Sequence, residues 1–172
     1  MRRIVLAFIF TCFVSVIFAQ RTRTEEVFST MTHEVLKVLY ITNDSKTDTL
    51  VAFYAKDHRY QQLTDLITLY SGSVQDYYDF MVKLEKFYNE NEPEVSDYID
   101  GYRINILKVV GYKCIWWYEK ESDGNGYHSF MIKGLVKMRL QFANWCQEKG
   151  LKLNITESDQ QQIDKKYKKK RK

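Results

Sequence analysis

The sequence predicts an all-α protein, an antiparallel bundle of four or five helices followed by a disordered basic C-terminal tail. Three observations lead there. Glycine is scarce at seven residues and Pro93 is the lone proline, whereas an all-β chain needs many turn residues. Apolar residues recur at three- and four-residue steps in several windows. Residues 165–172 hold seven basic side chains and no acidic one, a composition that repels itself and stays extended.

The helices follow in order. Val27, Met31, Val35, Leu36 and Leu39 predict a first helix from Thr24 to Ile41. A second runs from Thr47 to Tyr70 and stops at Ser71-Gly72-Ser73. A third, Val74 to Asn89, places Tyr77, Phe80, Met81, Leu84 and Phe87 on one stripe. Pro93 suits the first turn of a fourth helix, Glu94 to Glu119, whose apolar density between Ile104 and Tyr118 makes it the central element, bent or closely packed at Gly101 and Gly111. Ser122 to Gly126 is a loop, and a fifth helix spans His128 to Glu148 before Lys149-Gly150 closes it. Thr156 and Asp159 resemble a capping box for a last, very polar helix. Leu107 and Leu135 are expected in the core.

Arg2 and Arg3 precede an apolar run from Ile4 to Phe18 that ends at the small residue Ala19. This is the pattern of a secretory signal peptide over residues 1–19. A run of about fifteen residues, interrupted by Thr11 and Ser15, is short for a membrane span. The expectation is a secreted, extracellular protein without a transmembrane segment, comprising one helical domain over 20–160 and a polar to basic tail over 161–172. Cys114 and Cys146 then remain as an even pair in an oxidising compartment, which predicts one disulfide, with two separate buried thiols as the alternative. In a symmetric hairpin the two lie out of register, so the bridge needs a long connection, a bend near Gly134 or steeply crossing helices. Asn43-Asp44-Ser45 and Asn154-Ile155-Thr156 satisfy the N-glycosylation pattern, and both fall in expected loops.

Catalytic motifs are sparse. His33, His58 and His128 are distant in sequence and sit on separate expected elements. His33-Glu34 begins like a zinc-protease helix, but Lys37 stands where the second histidine is needed. The segment from Glu121 to Ile132 imitates a calcium loop until its twelfth position, where Ile132 replaces the bidentate carboxylate. No glycine-rich phosphate loop or serine elbow occurs, and Glu34 and Asp57 show no reason for desolvation. No enzyme, cofactor or metal site is expected. Trp116 and Trp117 point about 100° apart on a helix, so one of them lies at a rim or lines an apolar ligand pocket, unless an aromatic core covers both.

Charge is the strongest functional signal. Residues 21–100 carry 8 basic and 15 acidic side chains, 101–164 carry 9 and 7, and 165–172 carry 7 and none. Lys165, Lys166, Lys168, Lys169, Lys170, Arg171 and Lys172 form an expected anion-binding end, directed at glycosaminoglycan or phospholipid surfaces by a charge-based logic that does not select a nucleic-acid sequence. A solubilising tail, or one folded back on Glu90, Glu92, Glu94, Asp97 and Asp100, is the alternative.

A leader at Met1–Ala19, a body of this size, few cysteines and the lysine-rich end 165–172 together resemble, in layout, the small secreted salivary proteins of blood-feeding insects, the anophensin-like class. The resemblance implies binding of a host haemostatic or immune protein. The expected function is therefore a secreted, non-enzymatic binding protein whose body engages an extracellular protein partner while its tail holds anionic surfaces. Alternatives are a carrier of a small apolar ligand between helices, and an effector that enters recipient cells with Lys168 to Lys172 as a nuclear-localisation-like run.

Overall fold

A computed structural model describes residues 21–43, 46–59, 65–120 and 126–167. It overturns the all-α bundle. Two four-stranded antiparallel sheets dominate, each a simple meander: β1 (Arg21–Ser29), β2 (Val35–Asn43), β3 (Lys46–Lys56) and β4 (Leu66–Ser73) form sheet A, and β5 (Val95–Ile99), β6 (Tyr102–Val109), β7 (Tyr112–Tyr118) and β8 (Tyr127–Phe130) form sheet B. Each sheet leads into a helix, α1 (Val74–Glu90) after β4 and α2 (Ile132–Lys149) after β8, and α3 (Glu157–Tyr167) follows. Four strands and a helix thus occur twice in succession.

The three expected helices that fail do so for one reason. Their apolar residues are largely β-branched or aromatic, and they alternate: Leu36 and Val38 in β2, Val51, Phe53 and Ala55 in β3, and Ile104 and Ile106 in β6 all point inward and are fully buried. Half-covered outer faces add further apolar residues between them, which also satisfies a three-and-four spacing. Turn residues are few because hairpins need few. Asp100-Gly101 and Val110-Gly111, all at positive φ, close the β5–β6 and β6–β7 hairpins in two residues each. The two glycines expected to bend a helix therefore reverse the chain.

Of the remaining helices α1 keeps its expected bounds to within one residue, whereas α2 begins at Ile132 because His128 to Phe130, expected as its first turn, pair with β7 as β8. Ser73 caps α1 by accepting from the Asp76 amide at 3.1 Å, and Gly150, at φ 70°, ends α2 while Leu151 N–H donates to the Cys146 carbonyl. The α3 helix runs to Tyr167, so Lys165 and Lys166 belong to its last turn and are not part of a disordered tail. Ile163 of α3 is buried and Tyr167 packs against the core. Lys168, Lys169, Lys170, Arg171 and Lys172 lie outside the described residues.

One aromatic core joins the sheets and helices. Trp117 of β7 packs against Phe80 of α1 at 4.8 Å and Phe53 of β3 at 5.5 Å, and Tyr77 meets Phe142 of α2 at 5.0 Å, edge to face. Leu135 is buried as expected, but Leu107 is half-buried on the outer face of sheet B, because its neighbours Ile104 and Ile106 take the inner face. A buried ionic clamp ties the helices together. Arg139 of α2 donates from Nη2 to Asp159 Oδ1 of α3 at 2.9 Å and lies 2.6 Å from Glu85 of α1, while Tyr78 of α1 donates to Asp159 Oδ2 at 2.7 Å.

The disulfide does not form: Cys114 and Cys146 are free thiols. Strand alternation explains it. On β7, Ile115 and Trp117 face the core, so Cys114 turns to the opposite face, where its Sγ lies 3.7 Å from Met131 Sδ. Cys146 belongs to the core on the inner side, and burial pushes its thiol up to about 12. Sheet B separates the two.

Candidate functional site

Three constellations bring chemically active side chains together, and each is built from residues far apart in sequence. The first is a groove of about 340 Å³ between α1 and α2. Ile132, Val136 and Leu140, spaced four residues apart on α2, give it an apolar floor, and Lys133, Lys137 and Lys166 stand around it. Its carboxylate, Glu85, is neutralised by Arg139 at 2.6 Å. Lys133 and Lys137 form no ion pair among the described residues. Docking of α3 through Ile163 and Asp159 brings Lys166 to this groove, beside Lys133 and Lys137.

The second is a cleft of about 630 Å³ where β4 meets sheet B. Tyr70 and Tyr102 stack at 5.4 Å, with their planes 25° apart. Around them lie Lys120, 5.0 Å above the Tyr102 ring, and the Lys83–Asp100 ion pair at 2.7 Å. The Tyr102 hydroxyl accepts from the Ser71 amide at 3.4 Å and Glu119 accepts from the Thr68 amide at 3.3 Å. Sheet B side chains thereby occupy two outward amides of the β4 edge, which otherwise would invite another strand. Burial holds the Tyr70 hydroxyl far above its ordinary range, keeping it neutral.

The third brings together two of the three histidines, which the sequence places on separate elements. His58, following β3, and His128, in β8, meet with ring centroids 3.9 Å apart and planes tilted by 36°. His128 donates from Nδ1 to the Lys56 carbonyl at 2.7 Å, and its Nε2 lies 3.1 Å from Glu34, which also accepts from Thr30 and Thr32. Ser129 places its hydroxyl 3.0 Å and its amide 3.2 Å from His58 Nδ1. Glu34 and Asp57, for which the sequence offered no reason for desolvation, are both buried. Asp57 is held by the Arg59 guanidinium at 2.6 Å.

A serine beside an imidazole resembles a nucleophile and its base. Desolvation, with the positive charge of neighbouring His128 and Lys56, pushes His58 down to about 4. Its Nδ1 lone pair is already taken by a backbone N–H. Such a nitrogen is too weak a base to activate serine at neutral pH. The geometry is that of a clasp: His58 N–H also donates to the Tyr127 carbonyl at 2.8 Å, so this cluster joins sheet A to sheet B where β3 meets β8.

The other expected site residues lie apart. Trp117 is in the core, whereas Trp116 stacks on Tyr127 at 4.3 Å on the other face of sheet B, so the pair lines no common pocket and neither lies between helices. Asn43 is exposed at the end of β2. Asn154 is exposed at the rim of the Tyr70–Tyr102 cleft. Residues 121–125 of the calcium-like segment lie outside the described residues, and its remainder forms β8 and the start of α2. Among the described residues no group of histidine, cysteine and carboxylate side chains is arranged to hold a metal. No helix there is long and apolar enough to cross a membrane.

No family model, curated protein or solved structure matches the chain. The likeness to salivary proteins therefore rests on layout alone.

Proposed function

We propose that the chain is a secreted, non-enzymatic binding protein that attaches to polyanionic surfaces through its C-terminal cationic end. One observation carries this reading: Lys133, Lys137 and Lys166 converge on a single groove, and five more basic residues, 168–172, follow α3 in the sequence. Residues 21–164 carry 17 basic and 22 acidic side chains, so attraction to an anion is local to this end. The leader pattern at residues 1–19 supports an extracellular setting, where sulfated polysaccharides and anionic lipids are the available polyanions.

Heparin affinity chromatography of the secreted protein tests the reading. Deleting residues 168–172 preserves α3, whose Tyr167 packs against the core, and lowers the salt needed for elution. Combining that deletion with Lys133→Ala and Lys137→Ala abolishes retention at physiological salt, since each neutralised anionic group releases condensed counterions. Elution unchanged in the combined variant sinks the reading.

A second reading, favoured by the stacked Tyr70–Tyr102 pair, is that the inter-sheet cleft holds a small polar ligand. Aromatic faces beside mixed charges suit a ligand with one flat apolar side and several hydrogen-bonding groups. The ligand then differs from the apolar cargo expected near Trp116 and Trp117. Native mass spectrometry of protein purified from its secreting cells, compared with Tyr102→Ala, detects such a ligand as a mass retained only by the unmodified chain.

A further inference from the structure

The β6–β7 hairpin closes on Val110 at φ 49° and Gly111 at φ 84°. A two-residue turn of this kind favours asparagine, aspartate or glycine at its first position, and a β-branched residue there is strained. Val110 is nevertheless 90% exposed. The fold gains no packing from this side chain and bears its strain.

Val110 does not stand alone. Val109 and Tyr112 pair across the strands just below the turn and are 38% and 63% exposed, and Met131, 49% exposed, lies beside Cys114 on the same outer face. Together they form an apolar crest at one end of sheet B. Met131 leads directly into α2, whose first turn has no acidic residue and no side-chain cap, and into Lys133 and Lys137. On the inner face Lys108 pairs across the hairpin with Lys113, which donates to the carbonyls of Tyr88 and Asn91 at the end of α1. Of the acidic residues of this end, Glu90 closes α1 and pairs with Lys86, and Glu92 and Glu94 precede β5 at the opposite edge of the sheet from β8 and α2. The crest is therefore bordered by lysines on its α2 side.

We propose that this end docks on an anionic phospholipid membrane, with Val110, Tyr112 and Met131 entering the boundary between headgroups and acyl chains and Lys108, Lys133, Lys137 and Lys166 meeting lipid phosphates. The inference rests on the anionic-surface reading and narrows it. A sulfated polysaccharide supplies charge but no apolar phase for the crest, whereas a bilayer interface supplies both within reach of the same residues. Attachment by a polybasic segment together with a modest apolar insertion is the two-signal arrangement that makes peripheral binding stable.

Co-sedimentation of the secreted protein with phosphatidylcholine vesicles, with and without phosphatidylserine, tests it, alongside heparin chromatography. Val110→Asn is the decisive variant because asparagine tolerates the left-handed turn, so its thermal stability stays at or above that of the unmodified chain. The expected result is binding to the phosphatidylserine vesicles that falls about tenfold in Val110→Asn, with heparin elution unchanged. Tyr112→Ser behaves in the same way, and deletion of 168–172 weakens both kinds of binding. Equal vesicle binding by Val110→Asn and the unmodified chain overturns the proposal, as does equal binding to vesicles lacking phosphatidylserine. Retention on heparin without binding to any vesicle overturns it and leaves the broader reading standing. Failure to bind either overturns both.

Discussion

The molecule contains two buried polar clusters that hold large pieces together by different chemistry. The clamp joining the helices uses Arg139, Asp159, Glu85 and Tyr78, with Arg139 and Asp159 only 4% and 1% exposed. The clasp joining the sheets uses Glu34, His128, His58 and Ser129. A guanidinium keeps its charge throughout the physiological range, whereas the His58 imidazole, pushed down to about 4 by burial and its cationic neighbours, stays neutral until the solution turns acidic. The helical layer is thus locked by permanent charge, and the seam between the sheets by an imidazole and a carboxylate, His58 and Glu34, that take up protons only in acid.

The largest expected effect lies in the clamp. Arg139→Met removes the cation and leaves Asp159 buried without it, a change that costs about 3–5 kcal/mol. Urea unfolding measures it, and a loss below about 1 kcal/mol would mean that Asp159 reaches water or another partner. A double variant, Arg139→Met with Asp159→Leu, recovers much of the loss, because replacing both buried charges with apolar groups is close to neutral.

Core and outer face of sheet B give the next contrast. Ile104→Ala, on the inner face of β6, costs about 2–5 kcal/mol, while Leu107→Ala, three residues along on the outer face, costs less than about 1.5 kcal/mol. Equal losses at the two positions would show that the outer face is as closely packed as the core.

The clasp predicts a dependence on pH. His58 titrates near 6.5 when unfolded and is pushed down to about 4 in the fold. Between these values the unfolded chain takes up a proton that the folded chain does not, so stability falls as pH drops from 6.5 toward 4. Glu34, lowered from 4.5 mainly by hydrogen bonds from His128 and Thr32 that outweigh its desolvation, adds a loss in the same direction below that value. In His58→Asn the amide oxygen replaces Nδ1 as acceptor, and the decline between pH 6.5 and 5 flattens. Thermal melts across that window check it, and an identical slope in the variant would assign the acid sensitivity elsewhere.

The smallest effect is at the β6–β7 turn. Val110→Gly relieves the left-handed strain at an exposed position and raises stability by about 0.5–1 kcal/mol. A destabilised variant would mean that Val110 makes native contacts its exposure does not suggest.

Legibility in the sequence varied by element. The α1, α2 and α3 helices were visible from the Tyr77–Leu84 stripe, the Ser73 and Gly150 boundaries, and the Thr156–Asp159 pair, because caps and periodicity are local signals. The strands were not separated from helices. Sheet B is apolar on parts of both faces, and a two-sided run such as Ile104 to Tyr118 satisfies helical and extended spacing alike. The Asp100-Gly101 pair was the available hairpin signal, since aspartate before glycine accepts the left-handed turn that reverses two strands. Of the site residues, the lysines at 165 and 166 were visible as charge, but their meeting with Lys133 and Lys137 was not.

By itself, then, the sequence determined the leader pattern at residues 1–19, the three helices, and the concentration of positive charge at the C-terminus. These are properties of neighbouring residues and need no partner elsewhere in the chain. Tertiary structure alone decided that Cys114 and Cys146 fall on opposite sides of a sheet, that His58 and His128 meet across 70 residues of separation, and that Tyr70 meets Tyr102. Each depends on which strand pairs with which and on which face a residue takes. A shift of one residue in register exchanges those faces, so the outcome is set by long-range pairing and the burial of a shared core.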